Sequence, residues 1–144
     1  MYYRITEDGK VLDFSKNKFH EDCLYTDKDI IVAWDGNAYV DGTQPEEPLE
    51  LVQKRIQTEL TDAVQEHLDA SAKRLGYDHC NSACTYVDTG VQRFDDEGRA
   101  FRAWRSAVWA KTYEIFTEVR AGERKMPTDE ELLAMMPKLE ISYS

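Results

Sequence analysis

Basic residues are scarce in this chain: 18 Lys and Arg stand against 28 Asp and Glu, a formal charge of −10. A field of that sign repels phosphate backbones, which counts against nucleic acid as a partner and favours a basic one. No stretch approaches about 18 consecutive apolar residues, so no membrane span is expected. The opening MYYRITEDGK lacks the cationic and apolar segments of a secretory signal. Together these absences lead to the expectation of a soluble, intracellular protein. Cysteine is limited to positions 23, 80 and 84, an odd count that fits reduced thiols better than a disulfide framework. There is no Gly-rich phosphate loop, no Gly-x-Ser-x-Gly and no His-Glu-x-x-His, so the enzyme classes those motifs mark have no support here.

What is present reads as globular. Hydrophobic residues make up 42% of the chain, with three Trp and eight Tyr and no low-complexity tract or internal repeat. A length of 144 residues suits one domain or two small lobes. The acidity is uneven, because residues 1–47 hold five Lys/Arg against eleven Asp/Glu. The front of the chain is the acidic part.

The hydrophobic pattern divides the chain. Tyr2–Thr6 and Lys10–Phe14 are β-prone runs flanking Asp8-Gly9, and Ile30–Trp34 and Ala38–Val40 flank Asp35-Gly36. Asp-Gly supplies the positive φ a tight hairpin needs. Two hairpins are therefore expected, joined into one small antiparallel sheet, with an irregular connection over Ser15–Asp29. Residues 1–44 form this β-hairpin lobe, and the Pro-containing segment 45–48 is a linker. From residue 49 to 144 the pattern is helical. Leu49, Val52, Ile56, Leu60, Val64, Leu68 and Leu75 predict a long amphipathic helix that stops at Gly76. A helical turn near Ser82–Tyr86 follows. Asp95-Asp-Glu-Gly-Arg opens a second long helix to about Ala121, striped with Phe101, Trp104, Val108, Ile115 and Val119. Thr128-Asp-Glu-Glu131 reads as a capping box for a short third helix ending before Pro137, with a loose or strand-like tail beyond it. The fold class is thus α+β, with the two long helices antiparallel.

Three constellations bear on chemistry. His79, Cys80 and Cys84 are soft-metal ligand types at one turn's spacing, yet a structural zinc needs four ligands, and Cys-x3-Cys is not a thiol-exchange motif. The competing reading, cysteines packed in the core beside a solvent-facing His79, is preferred, so no metal and no cofactor is assigned. Asp78-His79-Cys80 would be a hydrolase only if sequence neighbours converged in space, and no catalytic residue is assigned. Acidic pairs such as Asp62 with Glu66 read as solvated helix surface. The aromatic helix is more telling. Trp104, Trp109, Tyr113 and Phe116 widen the stripe beyond what one partner helix covers, which makes them the candidate partner-binding residues. The alternative is that the rest of the chain covers them.

The segments VQEHLDASAKRLGYDHCNSACTY and RFDDEGRAFRAWRSAVWAKTYEIFTEVRAGERKMPTDEELLAMMP resemble the helical C-terminal part of small phage and prophage tail proteins of the tail-fibre assembly type. The N-terminal Tyr-x-Arg-Ile and Asp-Gly-x-x-Tyr-Val-x-Gly-Thr-x-Pro patterns also resemble that group's front end. The shared motifs are structural, and Cys80 and Cys84 lie outside them. The resemblance implies no catalysis. It implies an accessory or chaperone protein that binds a tail-fibre or other tail protein, acting in the host cytoplasm or carried on the virion, with self-association compatible. A minor structural component of the tail and a small acidic inhibitor or regulator of a host protein are the alternative expectations.

Overall fold

Two Asp-Gly turns organise the N-terminal part of the chain. In the computed structural model, which describes residues 1–144, β1 (Tyr2–Ile5) and β2 (Val11–Ser15) flank the first turn, closed by the Thr6 N–H on the Lys10 carbonyl at 2.9 Å. The strands β4 (Ile30–Val32) and β5 (Ala38–Val40) flank the second, closed by the Ala33 N–H on the Asn37 carbonyl at 2.8 Å. The two hairpins join through β2 and β5 into an antiparallel sheet of order β3-β1-β2-β5-β4. The α+β class expected from the sequence is the one found.

The connection over Ser15–Asp29 is not wholly irregular. It contributes β3 (Leu24–Tyr25), an edge strand paired with Tyr3 and Tyr2 of β1. Reciprocal bonds between Met1 and Thr26, at 2.7 and 2.9 Å, continue the ladder by one step. A two-residue strand has no alternation to read, so periodicity could not reveal it.

The chain divides into two units, Met1–Val52 and Gln53–Ser144. The division falls in the first turn of α1 (Leu49–Arg74) rather than in the expected linker at 45–48. The Trp34 indole explains why, since its N–H donates to the Pro45 carbonyl at 3.1 Å and ties that segment to the sheet unit.

The second unit is helical: the remainder of α1, then α2 (Cys80–Cys84), α3 (Gln92–Arg120) and α4 (Asp129–Ala134). Tyr77, just past α1, meets Phe101, and His67 meets Trp104. Position on α1 therefore falls as position on α3 rises, and the helices are antiparallel, as expected. Their stripes interlock. Leu60, Val64, Leu68 and Ala72 of α1 and Phe101, Val108 and Ile115 of α3 are buried to 1% exposure or less. Each larger side chain so enclosed contributes about 1.5–3 kcal/mol as an upper bound. Thr112 sits among them because its hydroxyl donates to the Val108 carbonyl at 2.8 Å, leaving no bare polar group. The stripe weakens toward the start of α1, where Leu49 and Leu51 stay exposed.

Local chemistry sets the helix ends. Gly76, at φ +91°, closes α1 with a Schellman pair: its N–H reaches the Lys73 carbonyl at 3.0 Å and that of Tyr77 reaches Ala72 at 3.2 Å. The start of α3 lies three residues ahead of the acidic run proposed from sequence, and Val91 caps it without a side-chain bond. Asp95 is used instead to hold the preceding loop, accepting from the Asp88 N–H at 2.7 Å and from Arg99 at 2.9 Å. Thr128 caps α4 by accepting from the Glu131 N–H at 3.2 Å. Only half of the capping box forms, because the Glu131 carboxylate takes the Thr128 hydroxyl.

Gly98 is buried in α3 where a Cβ would lie 3.1 Å from the Ala83 carbonyl oxygen and from Tyr86 and Val87 atoms. A hydrogen at this position lets α2 and its following turn lie directly on α3. Around Gly76, in contrast, a Cβ would meet nothing within 4 Å. Gly76→Ala should therefore lower stability by about 1 kcal/mol through backbone conformation alone, measured by urea unfolding. An unchanged midpoint would show that the positive φ does not set this stop.

Candidate functional site

The four aromatics proposed as partner-binding residues do not share one environment. Trp104 is 6% exposed and Phe116 2%, and the Trp104 indole N–H is held by the Pro137 carbonyl at 2.7 Å. Both lie inside the helical core, which corrects the expectation that they present surface. Segment 137–141, read as loose from sequence, folds back and helps enclose Trp104. Trp109 and Tyr113, one turn apart on the flank of the stripe, stack at 5.8 Å with 27° between their planes. Trp109 is half-buried and Tyr113 is 58% exposed.

At the corner between the long helices, His79 is a helix cap. Its Nδ1 accepts from the Ser82 N–H at 3.1 Å, satisfying a free donor of α2. The Cys80 N–H donates to Asp69 at 3.0 Å. The Cys80 side chain is fully enclosed, and burial, reinforced by Cys84 beside it, pushes its thiol up to about 12. An activated nucleophile needs the opposite shift. No three His, Cys, Asp or Glu side chains gather in a way that could hold a metal ion.

The sequence reads Glu97 as part of a charged, solvated first turn of the second long helix, but it is 1% exposed. Its carboxylate accepts from the Tyr77 hydroxyl at 2.8 Å, from Arg93 Nε at 2.8 Å and from the Tyr143 hydroxyl at 3.2 Å. Burial alone would raise its pKa, but the three donors outweigh burial and hold it below the ordinary value. Burial and the bond to Glu97 raise Tyr77 well above the usual phenol range. The neighbouring Asp96 accepts from the Ser144 N–H at 2.8 Å. The C-terminal tail is thereby fastened to α3 at two places, Trp104 and Asp96-Glu97.

Two uncovered surfaces remain. In the sheet unit, cross-strand pairing places Leu24, Tyr3 and Phe14 side by side on one face, and Leu12, left unpaired where the β1–β2 register shifts between Arg4 and Ile5, is exposed close by. Leu12, Phe14 and Leu24 are 46–63% exposed. The opposite face at the same level carries the Arg4–Asp13 ion pair, with the Arg4 guanidinium 5.8 Å from the centre of the Phe19 ring. In the helical unit, a cavity of about 660 Å³ opens between the end of α1, Trp104 and the tail after α4.

No family model, curated protein or solved structure matches the chain.

Two outcomes follow from this geometry. Glu97→Gln should cost about 1–3 kcal/mol at neutral pH. Because the folded pKa of Glu97 is depressed, its contribution is complete above the unfolded value and is lost as pH falls through the folded one. The gap between parent and variant in urea unfolding should close on acidification below about pH 4; a constant gap would contradict the ionised network. Cys80 should react with a disulfide reagent at pH 8 at least about ten-fold more slowly than half-buried Cys23. Equal rates would mean the corner opens readily.

Proposed function

We propose that this chain is a non-enzymatic accessory protein of phage or prophage tail-fibre assembly, and that it holds a fibre protein through the uncovered face of its N-terminal sheet. The observation carrying this reading is the cross-strand row Leu24–Tyr3–Phe14, in which Leu24 and Phe14 are exposed and Tyr3 half-buried, with exposed Leu12 at the neighbouring register shift. Contiguous apolar surface of this kind is uncommon on a free-standing protein and marks contact sites. It sits in the acidic third of the chain, where residues 1–47 carry eleven acidic and five basic residues. An apolar strip in the most acidic part of the chain suits an immature partner offering apolar and basic surface.

The partner class comes from the resemblance of the hairpin and helix motifs to tail-fibre assembly proteins. The arrangement around Cys80 favours a role without bond chemistry, because its thiol is buried and pushed toward the protonated state. The stacked Trp109–Tyr113 pair offers a smaller second contact, in place of the four-residue aromatic surface first expected. The protein would act in the host cytoplasm and either leave the fibre or remain with it.

The test is co-expression with a tail-fibre protein from the same phage or prophage, followed by affinity measurement on the purified pair. Leu12→Ser with Phe14→Ser removes exposed apolar area and should leave the fold intact, since such surface changes usually move stability by about 0.5 kcal/mol or less. The double variant should bind fibre about ten-fold more weakly or worse and yield less soluble fibre. Undiminished binding would reject the sheet face, and absence of any complex with the parent chain would reject the reading as a whole.

A further inference from the structure

The cavity of the helical unit has a charge pattern opposite to that of the chain. None of its lining residues is acidic, in a protein with 28 Asp and Glu, whereas Arg74 and Lys138 both line it. No ion pair engages either cation. The interior is apolar, built from Trp104, Met136, Leu139 and Ile141 together with the end of α1. His67 lines it in a T-shaped contact with Trp104, at 5.7 Å between ring centres. Desolvation, with Arg74 nearby, lowers the pKa of His67, which leaves the ring neutral at pH 7 and part of the apolar wall. At about 660 Å³ the cavity falls within the range that takes small organic ligands.

We propose that this cavity is a binding site for a medium-chain aliphatic carboxylate, with the carboxylate between Arg74 and Lys138 and the chain over Trp104, Met136, Leu139 and Ile141. A neutral aliphatic molecule would leave both cations without a counter-charge at the cavity mouth. A cationic one would meet two like charges and no compensating carboxylate. A carboxylate on the same chain gains charge-assisted hydrogen bonds, with the Arg74 guanidinium able to engage both oxygens. The tail that forms one wall is fastened to α3 at the Pro137 carbonyl and again at Tyr143 and Ser144. The wall is thus present before the ligand arrives, which reduces the ordering cost of binding. This site lies in the helical unit and is independent of the fibre-binding reading.

The experiment is calorimetric titration of the full chain, without a partner, with octanoate, 1-octanol and octyltrimethylammonium at pH 7. Octanoate should bind at least about ten-fold more tightly than either of the others, since a charge-assisted contact exceeds 1.4 kcal/mol. Arg74→Glu with Lys138→Glu should weaken octanoate by at least that factor and favour the ammonium probe, with an unchanged circular dichroism spectrum. Equal affinity for the three head groups, or no octanoate binding to the parent chain, would overturn the proposal, and both are read without the variant. Tighter binding of a peptide ending in a free leucine carboxylate would overturn it too, by assigning the cavity to a polypeptide terminus.

Discussion

A single ionised carboxylate, buried where three segments meet, determines how the helical unit closes. Glu97 cannot remain charged at 1% exposure unless donors surround it. The donors come from the turn after α1 (Tyr77), from one turn earlier on α3 (Arg93) and from the end of the chain (Tyr143). Satisfying that charge therefore fixes where the turn after the first long helix and the C-terminal tail lie against α3. Gly98 beside it brings α2 onto the same stretch of α3. With the tail fastened there and at Pro137, Trp104 is enclosed and one wall of the cavity is in place.

That closure has a consequence for function. Most of the aromatic surface on α3 is consumed within the unit: Phe101, Trp104 and Phe116 are core, Phe94 and Trp109 are half-buried, and Tyr113 is exposed. The sheet unit has few fully buried apolar side chains, namely Val11, Tyr39 and Val40, and leaves a row of larger ones uncovered. The balance of exposed apolar surface thus lies with the strands. It coincides with the most acidic part of the sequence.

Much of this was legible in the sequence, for identifiable reasons. Asp-Gly pairs between alternating runs encode hairpins through backbone sterics, and the spacing from Leu60 to Leu68 and from Phe101 to Ile115 encodes two helices that must face each other. Gly76 and Thr128 encode a stop and a start. These are local signals. The misses were all non-local. The two-residue strand β3 exists only because β1 is available to pair with it. Trp104 is hidden partly by a tail some thirty residues away in sequence, held by the bond from Trp104 to Pro137 that no periodicity announces. The role of Glu97 depends on tyrosines 20 residues before it and 46 after it. The exposed apolar surface lies more on the sheet than on the helix for the same reason, because exposure is a property of the whole fold.

The view that partner recognition belongs to the strands, while the helical unit is closed around its buried charge, is tested most directly by hydrogen–deuterium exchange on the chain alone and bound to a tail-fibre protein. The account predicts new protection in Tyr2–Ser15 and Leu24–Tyr25, with amides of Phe101–Phe116 protected equally in both states. Protection that appears instead along α3 around Trp109 and Tyr113, with the strands unchanged, would contradict it.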